Sequence, residues 1–294
     1  MNLKTKGILA YLAIAFIPAW LYWTMVWLTG ISGTDPIFQA AVLPGAFAPA
    51  LACYIVRKWV TKEGFADAGL QLKLKKNWSY YLFAWLLPLA VTAIIIILAS
   101  VFNLGQPDFT LQNFFSSLNL TDGKPETSEN ILFFLLPTLL IQAIVLATPI
   151  VWGEEFGWRS YLQIRLLADR PLLAAIATGI IWGIWHYPLI FMGYERYDNQ
   201  ILGLLIFTIF TILLSIIFGW LRLKTGSVWA ASVGHGATNA IGGSLTLMLF
   251  SGSKNWMWVG YNGILAWIPL GIVCAWLIFT GKLQKNQSNQ LSSN

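Results

Sequence analysis

The sequence predicts an all-α fold: a polytopic membrane bundle of about eight transmembrane helices with both termini on the cytoplasmic side. Three observations predict it. The 294-residue chain is 57% hydrophobic and only 10% charged, with a mean hydropathy of +0.66, whereas soluble domains carry about 25% charged residues. Apolar runs long enough to cross a hydrocarbon core of about 30 Å occur at 8–30, 37–56, 79–102, 131–153, 172–193, 200–221, 227–250 and 258–280. Sorting the 18 Lys and Arg by loop then places all but Lys124, Arg196 and Lys254 on one side. The positive-inside rule assigns that side to the cytoplasm. The basic balance thus reports topology and contact with anionic lipid, and nothing in it calls for nucleic acid.

The run at 8–30 is too long for the apolar core of a signal peptide and lacks a convincing cleavage site, so it reads as a retained helix. Residues 1–130 give helices one to three and a long outer loop. Pro18, Pro44, Pro49 and Pro88 fall within spans, where neighbours can satisfy the freed carbonyls. The 57–78 connection is basic and amphipathic. Cys53 and Cys274 lie inside spans and read as apolar fillers rather than a disulfide framework. The 103–130 loop is solvated in composition, with a short interfacial helix around Leu111–Leu118 and a formal sequon at Asn119–Thr121 of little weight. Residues 131–281 hold every intramembrane ionisable group and form the predicted core unit, helices four to eight. The tail 282–294 is polar and reads as disordered.

The ionisable groups are few. Glu154 and Glu155 are adjacent near the end of an apolar run, and a charged group near a bilayer centre costs roughly 2.5–3.5 kcal/mol or more. Glu155 and Arg159 form an i,i+4 pair in the favourable order, which leaves Glu154, about 100° away round the helix, free to face a cavity. An ordinary surface ion pair at a helix end is the bland alternative. The two histidines of the chain, His186 and His235, also lie in apolar runs. His186 has Trp182 one turn before it and Pro188 just after. His235 shares a face with Asn239 among Gly234, Gly236, Ala237 and Ala240. For both histidines the bland alternative is a polar residue bonding across a helix-packing face.

Depth separates the alternatives. If the fourth helix continues to about Arg165, Glu154 lies roughly 16 Å from that end, His235 about as far from Lys224, and His186 roughly 22 Å from Arg170. Three segments then bring polar groups to similar depths, open toward one side. A Glu/His pair can hold and deprotonate a water, and a His/Asn pair can donate to a tetrahedral oxyanion. Glu154, His186 and His235 are also a donor set for zinc with a position left for water. The chain has neither the His-Glu-x-x-His helix nor Gly-x-Ser-x-Gly.

Glu154-Glu155-x-x-x-Arg159, Trp182-x-x-x-His186 and His235-x-x-x-Asn239 together resemble the three motifs of the CPBP (Abi) family. That family comprises CAAX prenyl endopeptidases and bacteriocin-processing or immunity proteins. The resemblance spans roughly residues 145–245. It implies an intramembrane endopeptidase in which Glu154 with His186 activates water and His235 with Asn239 stabilises the oxyanion. Glu155, Arg159 and Trp182 would be supporting residues. One departure is Trp182, where the family's second motif usually begins with Phe. The sequence demands no cofactor. Zinc is the one candidate, with a metal-free, glutamate-dependent mechanism favoured because a His/Asn pair suits an oxyanion better than a metal.

The implied partners are the lipid bilayer and a prenylated or membrane-associated peptide substrate, and the expected location is a bacterial cell membrane. Two other readings stay open: a non-catalytic immunity or scaffold protein, and a proton-coupled transporter using Glu154 and the histidines as a relay.

Overall fold

The computed structural model describes residues 2–33, 35, 37–118 and 131–284, and these fold entirely as helices and connections. The sequon at Asn119–Thr121 and the tail beyond residue 284 lie outside the described residues. Helix α1 spans Leu3–Leu28, α2 Phe38–Val60 and α3 Leu74–Val101. A short α4, Gln112–Ser117, falls where the interfacial helix was expected. Helix α5, Ile131–Arg165, is followed by α6, Pro171–Trp185, and a single turn α7, Tyr187–Phe191. Helices α8, Gln200–Thr225, α9, residues 228–249, and α10, Trp256–Phe279, complete the bundle.

Six of these, α1, α2, α3, α5, α8 and α10, are long and apolar enough to cross a membrane. The other two expected spans correspond to α6 and α9. Helix α6 has only 15 residues because His186 and Pro188 end it. Helix α9 is long enough, but its Gly, Ser, Thr, His and Asn residues dilute its hydropathy. His186 caps the end of α6 and His235 lies within α9, so the predicted site falls where the apolar pattern weakens. Phe133, Phe134, Ile97, Ile201 and Ile272 are each at least 60% exposed, an apolar exterior suited to lipid rather than water.

Local chemistry sets the helix ends. The Asn2 and Asn199 side chains accept from Thr5 N and Leu202 N at 2.8 and 3.0 Å, capping α1 and α8. Gly226, at φ +62°, ends α8 in the left-handed conformation that glycine adopts freely. Ser227 then caps α9.

Packing relies on close backbone approach and tryptophan N–H donors. A Cβ on Gly236 would stand 2.7 Å from Thr148 N, so α9 lies directly against α5. Thr211 and Ser215 of α8 donate to the Gly179 and Ala175 carbonyls of α6 at 3.0 and 2.6 Å. Trp20 donates to Trp185 O and Trp185 to Ala15 O, both at 3.0 Å, which pins the end of α6 to α1. Trp85 ties α3 to α5 through Leu140 O at 3.0 Å.

The chain runs as one helix from Ile131 to Arg165, so Glu154 sits well inside α5 rather than at its end. Two stretches of α5, Ala143–Ala147 and Trp158–Leu162, are wound as π-helix, as is Thr238–Gly243 in α9. Such widened turns gather at functional sites because they re-aim the side chains that follow. Here two of them come directly after Glu155 and His235.

Candidate active site

The α5–α6–α9 junction is where the intramembrane ionisable groups meet. Glu154, Glu155, Arg159, His186 and His235 are all at most 7% exposed. Burial of that many charges requires that each find partners.

Glu155 is the hub. One carboxylate oxygen accepts from Arg159 Nε at 2.8 Å, as the i,i+4 spacing predicts, and the other from His235 Nδ1 at 3.0 Å. Arg159 is itself held by Ser215 Oγ at 2.7 Å and Gln163 Oε1 at 3.3 Å. Its guanidinium lies 5.3 Å from the Trp182 ring centroid and 5.8 Å from that of Phe218. The sequence showed Glu155 as Arg159's partner but not as His235's, because those two residues are 80 positions apart. Gln163, one turn beyond Arg159, and Ser215, a hydroxyl in apolar α8, were the available signals for the rest of the network.

Glu154 points elsewhere, as the 100° step requires. It accepts from Trp182 Nε1 at 2.8 Å. The sequence suggested a carboxylate simply facing a cavity; instead an indole holds one of its oxygens. Trp182 also lies edge-on to both histidines, with centroids 5.8 Å from His186 and 5.1 Å from His235. A phenylalanine at this position can keep the ring contacts but has no N–H to offer Glu154.

The histidine tautomers follow from their partners. His186 Nδ1 lies 2.9 Å from Trp182 O, an acceptor, so Nδ1 carries the proton and Nε2 presents a lone pair. His235 Nδ1 donates to the ionised Glu155, and the Phe218 ring stacks on its imidazole at 5.9 Å and 24°. With Nδ1 so engaged, His235 donates from Nε2 only as an imidazolium.

Asn239 is placed differently from its partner. It stands in the π segment, where the regular i,i+4 relation to His235 does not hold, and it is exposed while His235 is buried. The structure thus gathers Glu154, Glu155, Arg159, Trp182, His186 and His235, with Asn239 on the next, open turn.

A zinc site needs three donors converging on one point. Among the described residues no three His, Cys, Asp or Glu side chains are grouped so as to hold a metal ion.

Comparison with known proteins agrees with this architecture. Residues 129–241, which contain the whole cluster, match the family model described as type II CAAX prenyl endopeptidase Rce1-like. The chain is 30% identical over 224 residues, 73% of its length and 75% of the relative's, to a protein of Methanococcus maripaludis named CAAX prenyl protease 2. A multi-pass helical membrane protein with its buried carboxylates and histidines inside the matched region, this chain belongs to the CPBP intramembrane proteases, in their Rce1-like CAAX prenyl endopeptidase branch.

Proposed function

We propose that this membrane peptidase hydrolyses a peptide bond near the lipidated cysteine of a prenylated substrate, with Glu154 as general base and no metal. The observation that carries the reading is that two buried groups, Glu154 and His186, are both oriented by Trp182. Glu154 is fixed by the Trp182 indole, and His186 is fixed so that its Nε2 lone pair is free.

In this mechanism a water bridges Glu154 and His186 Nε2. Glu154 takes one of its protons as the oxygen adds to the scissile carbonyl carbon. The carbonyl oxygen gains the negative charge and is met by the N–H of the His235 imidazolium and the amide N–H of Asn239. Glu155 and Arg159 hold His235 in place and balance its charge. Collapse of the tetrahedral species breaks the C–N bond, and the proton held by Glu154 passes to the departing amine. The products are a new carboxylate on the lipidated cysteine and a free peptide amine.

The test is cleavage of a quenched peptide bearing a farnesylated Cys and three following residues, by purified protein in detergent. Wild type is expected to cleave with or without a strong zinc chelator, and Glu154→Ala is expected to be inactive while folded. Loss of wild-type cleavage with chelator would overturn the metal-free mechanism. Undiminished cleavage by Glu154→Ala would overturn the assignment of the base. Folded wild type that cleaves no prenylated peptide would overturn the substrate class.

A further inference from the structure

A second polar site lies at the basic end of the bundle, sharing no residue with the cluster just described. A cavity of about 350 Å³ is lined by Phe65, Asp67, Leu70, Lys73, Arg222 and Gly226 among others. It is formed where the α2–α3 connection crosses the end of α8. Arg222 is 7% exposed, and its Nε is buried with no hydrogen-bond partner among the described residues. Its Nη2 donates to Asp67 O at 2.6 Å. Lys73, which is exposed, brings Nζ to within 3.0 Å of where a Cβ on Gly226 would stand. Gly69, at φ +71°, lets the guanidinium pack against its backbone; a Cβ there would stand 2.6 Å from Arg222 Cζ.

The acids nearby do not neutralise this pair. Asp67 Oδ1 is bound by Arg57 at 2.7 Å and Oδ2 by Arg165 at 3.1 Å, and Arg165 also takes Glu63 at 2.9 Å. Among the described residues neither Arg222 nor Lys73 forms an ion pair. A buried guanidinium with an unmet N–H, beside an ammonium and a cavity, matches an oxyanion that takes several charge-assisted hydrogen bonds.

Leu70, in the cavity wall, and the adjacent Leu72, Leu74 and Trp78 are each more than 40% exposed. Exposed apolar side chains beside cations at the end of transmembrane helices put the cavity at headgroup level, where phosphates are plentiful. We infer that the Arg222–Lys73 cavity binds the phosphate of an anionic membrane lipid. The assignment does not depend on the peptidase reading.

The experiment is native mass spectrometry of the detergent-solubilised protein titrated with short-chain phosphatidylglycerol, phosphatidylcholine or inorganic phosphate. Wild type is expected to retain phosphatidylglycerol in preference to phosphatidylcholine. Lys73→Gln, an exposed change that keeps the fold, is expected to weaken that retention about fivefold. Arg222→Gln is expected to abolish it, with a melting curve to confirm folding. Equal retention by wild type and Lys73→Gln would overturn the inference. Displacement of the lipid by equimolar inorganic phosphate would overturn the lipid in favour of free phosphate.

Discussion

Trp182→Phe isolates the feature in which this chain departs from the usual motif. The substitution keeps an aromatic ring against His186 and His235 but removes the N–H that reaches Glu154 at 2.8 Å. A hydrogen bond to a charged group contributes about 1.5–3 kcal/mol, and the cavity left by the smaller ring adds about 1 kcal/mol. The variant should therefore be destabilised by about 2.5–4 kcal/mol. Only the hydrogen-bond part bears on chemistry, because it alone fixes the base. If it is fully expressed in the transition state, kcat falls roughly ten- to hundredfold, with KM little changed. Steady-state cleavage of a prenylated peptide beside a thermal melt in the same detergent separates the two effects. A lowered melting temperature with kcat within twofold of wild type would refute the claim that the indole positions Glu154.

Other consequences follow from the same packing. Arg159→Met leaves Glu155 charged at 0% exposure with only His235 beside it, and should cost about 3–5 kcal/mol in chemical or thermal unfolding; adding Glu155→Gln should recover part of that loss. Gly236→Ala drives a Cβ to within 2.7 Å of Thr148 N and should destabilise the α5–α9 contact by about 1–3 kcal/mol, lowering both Tm and activity. Glu195 lies half-buried in the connection before α8, where partial desolvation pushes its carboxyl up to about 8 against an opposing hydrogen bond from Asn262. The folded state then binds a proton that the unfolded state releases near about 4.3, so stability should fall as pH rises from about 4.3 to 8. Melts of Glu195→Gln should show a shallower decline over that range than wild type.

The fold class was legible because hydropathy is additive along a chain: each long apolar run needs no tertiary information to be recognised. The runs harder to count, α6 and α9, are those where the proposed site intrudes, one ended by His186 and Pro188 and the other diluted by small and polar residues. In the site, the Glu155–Arg159 pair could be read from i,i+4 spacing, and the similar depths of Glu154, His186 and His235 from helix rise. The His235–Glu155 and Trp182–Glu154 bonds were not legible. They join residues 80 and 28 positions apart, and helix rotation, which decides such contacts, depends on packing and on π turns that leave no clear sequence signature. The same widened turn explains why Asn239 does not share His235's burial. The Arg57–Asp67–Arg165 network was hidden for a related reason: its members come from segments whose charges, read linearly, reported only the cytoplasmic side of the bundle.

The central claim is that Glu154 and His186 act as one unit on a water. A double-mutant cycle tests it most directly, comparing kcat for cleavage of a farnesylated peptide by wild type, Glu154→Gln, His186→Ala and the double variant, all confirmed folded. General-base assistance is worth about 10²–10⁴-fold, and removing either member of a unit forfeits most of what the pair supplies. The account predicts that each single variant falls by that order and that the double variant is no more than about tenfold slower than the slower single. Losses that multiply in the double variant, or a Glu154→Gln protein that cleaves at the wild-type rate, would contradict it.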